Sequence, residues 1–398
     1  MSVAKKVKEI APSLTLEITA KAKKMKAEGI SVIGFGAGEP DFNTPDYIIE
    51  SAKKALDIGF TKYTPASGTV ELKKAVCEKF LKDNGLKYEQ NQIIVSTGAK
   101  SSLYHAICAI IDDGDEVVLP SPFWLTYPEL IKLAGGVCVY VKCEKENGYK
   151  MTAEQFKSVI TDKTKCLILN SPNNPTGAVY SEAEIRAIAK ICEEKGIFVI
   201  SDEIYEKLIY GGEKHFSIAQ VSDFMKEHTI IINGVSKSYA MTGWRIGYLA
   251  APIEIAKAIS SMQSHTTSNA CSISQYASTT ALADKQGEEF INKMQKIFDE
   301  RRCYMVERLK NMQGVVCIEP KGAFYVFVDV SGFYGKKYNG TTINGSLSFA
   351  DCALLKGVAL IPGIAFGDDN CIRLSYAISL EDIEEGLNRL EDFIKEIK

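Results

Sequence analysis

Lys237 lies just beyond the apolar run Thr229-Ile230-Ile231-Ile232, among small and aromatic residues, where a buried strand would end. An ammonium placed there loses water, and burial lowers a lysine's pKa because it disfavours the charged form. The amine that results is a nucleophile toward carbonyls, with a Schiff base as its usual product. Arg245 follows on the same segment beside Trp244, a cation that stays charged at any ordinary pH. One neutralisable amine and one permanent cation suit a ligand with both a carbonyl and a phosphate. Other segments offer matching groups. Asp202 ends the run Ile197-Phe198-Val199-Ile200, with Tyr205 three residues on. Gly98-Ala99-Lys100 stands where a helix opens after Gln92-Ile93-Ile94-Val95, so its backbone N–H groups face a would-be anion. Trp124 supplies a flat face for stacking.

These residues need a scaffold that gathers them. Seven short apolar runs alternate with amphipathic segments: 92–95, 116–119, 137–141, 166–169, 197–200, 229–232 and 246–249. Such alternation, with strands apolar on both sides, predicts an α/β fold with a mostly parallel seven-stranded sheet covered by helices on both faces. In an open sheet of that kind ligands bind outside the carboxyl ends of the strands. The segments that follow the runs are Thr97-Gly98-Ala99-Lys100, Ser121-Pro122-Phe123-Trp124, Asn170 to Gly177, Ser201 to Tyr205 and Ser236-Lys237. Five separated stretches therefore converge on one place. The cluster Gly34 to Phe42 lacks the G-x-G-x-x-G register, and Pro40 follows where a helix should open, so it reads as a loop that approaches a ligand closely.

Helical spacing also predicts helices over Leu14 to Met25, Pro45 to Leu56, Glu71 to Leu81, Glu182 to Glu194 and Asp382 to Ile397, and a long connector marked by Phe290, Met294, Ile297, Met305 and Leu309. A short extended piece is expected at Ile30 to Ile33 and a strand region from Gly322 to Val328, and the tail carries Arg373-Leu374-Ser375-Tyr376. The expected division is an N-terminal arm with part of a small α+β domain at 1–45, a large domain at 46–288, and the rest of the small domain at 289–398.

At 398 residues with a formal net charge of −3, the chain has no electrostatic case for nucleic acid or an anionic membrane, and no apolar run approaches a membrane span. Its N-terminus carries neither an apolar secretory core nor transit character. Eleven cysteines without a Cys-x-x-Cys pair read as reduced thiols of a cytoplasmic protein, and the four histidines show no metal-ligand spacing, so no metal is expected. Asp202-Glu203 could suggest the metal carboxylates of a P-loop ATPase, but G-x-x-x-x-G-K-[ST] occurs nowhere.

Pyridoxal 5′-phosphate fits the requirements set by Lys237: an acidic partner for its ring nitrogen at Asp202, a donor to its ring hydroxyl at Tyr205, a stacking face at Trp124, and a phosphate clamp at Gly98-Ala99-Lys100 and Arg245. The stretches Ser171-Pro172-Asn173-Asn174-Pro175-Thr176-Gly177, Asp202-Glu203-Ile204-Tyr205, Ser236-Lys237 with Arg245, and Arg373-Leu374-Ser375-Tyr376 resemble those of class I pyridoxal-phosphate aminotransferases, most of all the Iβ subgroup of aspartate aminotransferases, in order and spacing across essentially the whole chain. The resemblance implies fold type I, a homodimer with shared active sites, and ping-pong transamination between amino acids and 2-oxo acids. It implies that Lys237 is the Schiff-base lysine and proton shuttle, that Asn174 joins Tyr205 at the ring 3-oxygen, and that Tyr63 of the partner subunit reaches the phosphate. Arg373 would bind the substrate α-carboxylate with Asn174 and the backbone of Gly38, and Lys100 with Thr15 would meet a distal carboxylate, which favours aspartate and glutamate.

Three positions depart from the pattern. Gly234 stands where related families often carry a phosphate-binding serine, with Ser236 as the substitute. Ala11 stands where relatives that accept prephenate carry arginine, and Ser268-Asn269 replaces a common Ser-Pro. Aminotransferases for aromatic amino acids, alanine or prephenate are the nearest alternatives. A lyase such as aminocyclopropane-carboxylate synthase shares most of the motifs and would turn over without a keto-acid acceptor. A transcription regulator on the same fold would need an added DNA-binding domain, for which the chain has no spare residues.

Overall fold

A computed structural model describes residues 3–398. The strands in chain order are β1 (Ile33–Gly34), β2 (Ile93–Thr97), β3 (Glu116–Ser121), β4 (Val137–Lys142), β5 (Thr164–Asn170), β6 (Phe198–Asp202), β7 (Thr229–Gly234) and β8 (Ile246–Ala250), followed by β9 (Val316–Cys317), β10 (Tyr325–Asp329), β11 (Lys337–Tyr338), β12 (Thr341–Thr342), β13 (Val358–Ala359), β14 (Ile361–Pro362) and β15 (Cys371–Ser375). All seven apolar runs join one sheet, in the order β2-β8-β7-β6-β5-β3-β4. Alternate residues feed opposite cores: Ile93, Val95 and Ile231 pack on one face, and Ile94, Ile230 and Ile232 on the other. Burial on both faces is why these strands read as unbroken apolar runs.

Every neighbouring pair is parallel except those of β8, which runs antiparallel to both β2 and β7. Only residues 235–245 separate β7 from β8, with no α-helix among them. A parallel return needs a longer crossover, so this chain can only fold straight back. The helices around the sheet are bounded as their sequences direct. Ser181 and Glu184 form a capping box at the start of Glu182–Lys195, and Gly196 closes it in the left-handed region at a φ of 66°.

A second body has its own core, built from Phe298, Phe324, Phe349, Tyr376, Leu387 and Phe393. Its sheet has the order β14-β15-β10-β9 and is antiparallel throughout. β1 pairs parallel with β13, which ties the N-terminal segment to this body. Ile383, Leu387, Leu390 and Ile394 of the helix Leu380–Glu396 recur at three- and four-residue spacing and are buried against it. In the helix Gln286–Lys310, Ile291 joins a core of the large sheet whereas Met294, Phe298, Met305 and Leu309 join the second core.

Two expected strands are shorter in the fold. β10 starts at Tyr325 rather than Gly322, because Ala323 takes a φ of 58° and turns the chain. Gly322 is pressed against Pro172, where a Cβ would lie 2.5 Å from the proline Cβ. The extended piece expected at Ile30 pairs only from Ile33.

Behind the sheet lies a buried polar cluster. Lys79 pairs with Glu206, which also accepts from Asn233 Nδ2 at 2.8 Å, while Glu203 accepts from His215 Nε2 at 2.9 Å and Ser217 Oγ at 2.6 Å. Glu203, Glu206 and His215 are close enough together to hold a metal ion. The Lys79 ammonium already occupies the electrostatic role a cation would fill there. All eleven cysteines are free, and among the described residues no helix is long and apolar enough to cross a membrane.

Candidate active site

A cavity of about 760 Å³ opens at the carboxyl ends of the large sheet, walled on its far side by β10, β15 and the helix Leu14–Ala27. Lys237 reaches it from the turn after β7, and its Nζ donates to the carbonyl of Gly38. The Tyr205 and Phe324 rings lie 5.8 and 5.7 Å from that nitrogen. Burial lowers the Lys237 ammonium to about 8, against the attraction of Glu39 and with the repulsion of Arg373 and Arg245.

Asp202 is the last residue of β6 and is buried. Its carboxylate accepts from the Tyr127 hydroxyl at 2.7 Å and the Ile204 amide at 3.2 Å. Burial pushes it up to about 6, and the Tyr127 hydrogen bond restrains the rise. Gly98 precedes the helix Ala99–Ile110 with a φ of 79°, and a Cβ on it would lie 2.3 Å from Arg245 Nη2. The arginine therefore lies across the helix N-terminus only because residue 98 has no side chain. Arg245 donates from Nη1 to the Thr242 carbonyl at 2.9 Å. Ser236 and Trp124 line the same cavity, and the Trp124 ring lies 4.9 Å from Lys100 Nζ. Burial and the neighbouring Arg245 both lower the pKa of Lys100.

Arg373 comes from β15, in the second body, and is buried. It donates from Nη1 to Asn174 Oδ1 at 2.9 Å and from Nη2 to the Gly36 carbonyl at 3.2 Å. Its Nε has no hydrogen-bond partner, and among the described residues no carboxylate pairs with it. A buried guanidinium with an unused donor is a standing site for a carboxylate, because a charge out of water is stable only when paired. Thr15 lines the far wall, with its hydroxyl 3.0 Å from Ser13 Oγ.

The profile of the family described as "Aminotransferase class I and II" matches residues 30–390. The chain belongs to that family. Over 394 residues, covering 99% of each chain, this aminotransferase is 50% identical to an aspartate aminotransferase of Bacillus sp. (strain YM-2). It is 47% identical, again over 99% of each chain, to a probable aspartate/prephenate aminotransferase of Aquifex aeolicus. Among solved structures, the aspartate aminotransferase of Rhizobium meliloti superposes with a TM-score of 0.96 at 40% identity over 100% of both chains. That of Thermus thermophilus with maleate gives 0.94 at 38%, over 99% of this chain and 100% of the other. The fold is thus the type I fold expected from the sequence.

In the aminotransferase, two expected site residues do not line the cavity: Gly98 sits just behind Ala99 and Lys100, which do, and Tyr63 stands apart, 90% exposed. Ser268 and Asn269 lie outside it as well. Gly234 has a steric reason to differ from a serine, since a Cβ there would lie 3.0 Å from the Ile246 carbonyl of β8. Three contributors were not singled out from the sequence. Tyr127 looks like a core residue of a helix, Tyr325 looks like an ordinary strand residue, and Glu39 looks like part of a turn. The only available signal was Tyr127's position three residues after Trp124, one helical turn away.

Proposed function

We propose that this aminotransferase transfers the amino group of L-aspartate to 2-oxoglutarate, giving oxaloacetate and L-glutamate in two half-reactions, with pyridoxal 5′-phosphate as cofactor. The observation that carries this reading is the pairing, in one cavity, of a Lys237 amine lowered to about 8 with a buried Arg373 that lacks a carboxylate partner. The donor set suits the cofactor. Gly98 leaves room for Arg245 beside a helix N-terminus, which fits a phosphate, and Asp202 is a strand-end carboxylate within the cavity. When bound, pyridoxal 5′-phosphate supplies a carbonyl for amino groups and a ring that accepts the electrons released at the substrate α-carbon.

The chain's own residues then have the following work. Gly98, Ala99, Lys100, Ser236 and Arg245 hold the phosphate, and Trp124 stacks on the ring. Asp202, ionised above about 6, keeps a proton on the ring nitrogen. Tyr205 and Asn174 hold the ring 3-oxygen. Arg373 grips the substrate α-carboxylate with the help of Asn174 and Gly38, which turns the α-hydrogen toward Lys237. Lys237 Nζ, as a free amine, would take that proton as a general base matched to neutral pH. Lys100 and Thr15 receive the distal carboxylate. The similarity to aspartate aminotransferases of Bacillus and Rhizobium, and the maleate of the Thermus structure, a four-carbon dicarboxylate, support this choice of substrate.

Residues 46–288 carry the cofactor contacts, whereas Thr15, Gly38 and Arg373 come from 1–45 and 289–398. The exposure of Tyr63, with Leu56 and Ile58 also exposed nearby in sequence, supports a homodimer in which the partner subunit's Tyr63 completes the phosphate site. The free cysteines support a cytoplasmic location.

A substrate panel tests the reading: L-aspartate should outperform L-alanine and L-phenylalanine as donor, and 2-oxoglutarate should outperform prephenate as acceptor. Steady conversion of an amino acid with no keto acid present would reveal a lyase instead. Lys237→Ala should abolish multiple turnover.

A further inference from the structure

Tyr325 joins the two halves of the site. It is the first residue of β10, is buried, and pairs across the small sheet with Ser375 of β15, two residues beyond Arg373. Its ring lies 4.3 Å from Arg373 Cζ, within cation–π range. Its hydroxyl lies 3.0 Å from that of Tyr205, and this is the one hydrogen bond either hydroxyl makes with another residue. The same side chain thus contacts the guanidinium proposed for the substrate carboxylate and the phenol proposed for the cofactor's 3-oxygen.

A phenol has a single proton to donate. If Tyr205 directs its proton into the cavity, it has none for Tyr325, and the bond between them must run from Tyr325 to Tyr205. The local electrostatics agree with that direction. Burial raises both phenols and the Arg373 charge restrains both, but Tyr205 is raised the more strongly, which leaves Tyr325 the better donor. A hydroxyl that accepts a hydrogen bond is in turn a stronger donor, because successive bonds polarise one another.

We propose that Tyr325 is a positioning residue: its hydroxyl donates to Tyr205 and so commits the Tyr205 proton to the cofactor's 3-oxygen, while its ring face holds Arg373 in place for the substrate carboxylate. The proposal rests on the aminotransferase reading above but not on which amino acid is the donor.

Donation from Tyr205 stabilises an anionic 3-oxygen and so lowers the affinity of the cofactor for its titrating proton. Loss of the Tyr325 hydroxyl weakens that donation. The pH midpoint of the bound cofactor's visible absorption, recorded without substrate, should therefore rise in Tyr325→Phe by about half a unit, a roughly threefold change in the proton equilibrium. The decisive measurement is a mutant cycle with Tyr205→Phe. The midpoint shift from Tyr325→Phe should be present with Tyr205 intact and absent in the Tyr205→Phe background. An equal shift in both backgrounds, or none in either, overturns the hydroxyl's role. The ring's role is read separately from KM for L-aspartate. Tyr325→Phe keeps the aromatic face and should leave KM within about twofold, whereas Tyr325→Leu should raise it about tenfold, as for loss of a desolvated cation–π contact. Equal KM values in the two variants overturn that half. A protein that shows no cofactor absorption at all would instead defeat the functional reading.

Discussion

Asp202 and Lys237 carry opposite perturbations from the same cause. Asp202 is buried and Lys237 half-buried, and loss of water disfavours charge, so the carboxyl is pushed up to about 6 and the ammonium down to about 8. Asp202 is held from rising further by Tyr127, whose hydroxyl donates to it at 2.7 Å. Tyr127→Phe removes the donor and leaves the ring, so the Asp202 pKa should climb. The acid limb of the kcat/KM profile should then move to higher pH by about one unit, corresponding to roughly 1.4 kcal/mol. An unmoved limb would show that Asp202 does not set it. Lys100 makes a different kind of prediction, because it lies against Trp124 in the cavity and is proposed to meet the substrate's distal carboxylate. Lys100→Ala should cost L-aspartate about a hundredfold in kcat/KM and L-alanine less than tenfold, the difference being one charge-assisted contact of about 1.5–3 kcal/mol. Equal losses would remove the residue from substrate recognition.

At the scale of elements, the site depends on close approaches that glycine permits. Gly98→Ala would place a methyl 2.3 Å from Arg245 Nη2, at a φ of 79° that a side chain rarely adopts. Arg245 must move, and cofactor affinity should fall by tenfold or more in an equilibrium titration, with the fold unchanged by circular dichroism. Helix Val70–Asn84 is fastened to the strand-end segment behind Asp202 by the buried Lys79–Glu206 pair. Burial works to raise the Glu206 carboxyl, but Lys79 and its other cationic neighbours hold it down at about 2. Lys79→Ala strands that carboxylate and should destabilise the protein by about 3–5 kcal/mol in denaturant unfolding.

The large-sheet strands were legible because burial on both faces produces continuous apolar runs, and the runs at 92–95 and 229–232 both joined that sheet, the first at its edge as β2 and the second inside it as β7. The antiparallel direction of β8 was not read from its residues, since Ile246 to Leu249 looks like any other buried strand. Its direction is set by the shortness of 235–245. The site residues that were legible sit at chemically unusual places, such as a lysine or a carboxylate at a strand end. Tyr127 and Tyr325 escaped because a tyrosine in a helix or strand has an ordinary packing role, and only three-dimensional proximity to Asp202 and Arg373 gives it another.

For the whole molecule, the two shifted groups link stability to pH. Asp202 has a folded pKa above its unfolded value, so its contribution is full below about pH 4 and is lost as pH rises through about 6. Lys237 has a folded pKa below its unfolded value, so its contribution is full above about 10.5 and is lost as pH falls through about 8. The cofactor-free protein therefore bears both penalties between pH 6 and 8. For Asp202 the difference of about two units corresponds to roughly 3 kcal/mol. Cofactor-free Asp202→Asn should accordingly melt above the parent at pH 8, with the gap closing as pH falls toward 4. Adding cofactor to the parent at neutral pH should raise Tm, because binding occupies the site that carries the strain. A constant gap across pH would mean that Asp202 is not buried in its charged form.

The turn between β7 and β8 places Lys237 and Arg245 on one continuous stretch, held at its base by Asn233 opposite Tyr248 and Gly234 opposite Gly247. Arg373 belongs to another sheet altogether. The proposed cofactor anchor and the proposed grip on the substrate α-carboxylate are thus written in separate parts of the gene. Drift in the last hundred codons could alter that grip without touching Lys237, whereas the choice proposed for Lys100 is inherited together with the phosphate site.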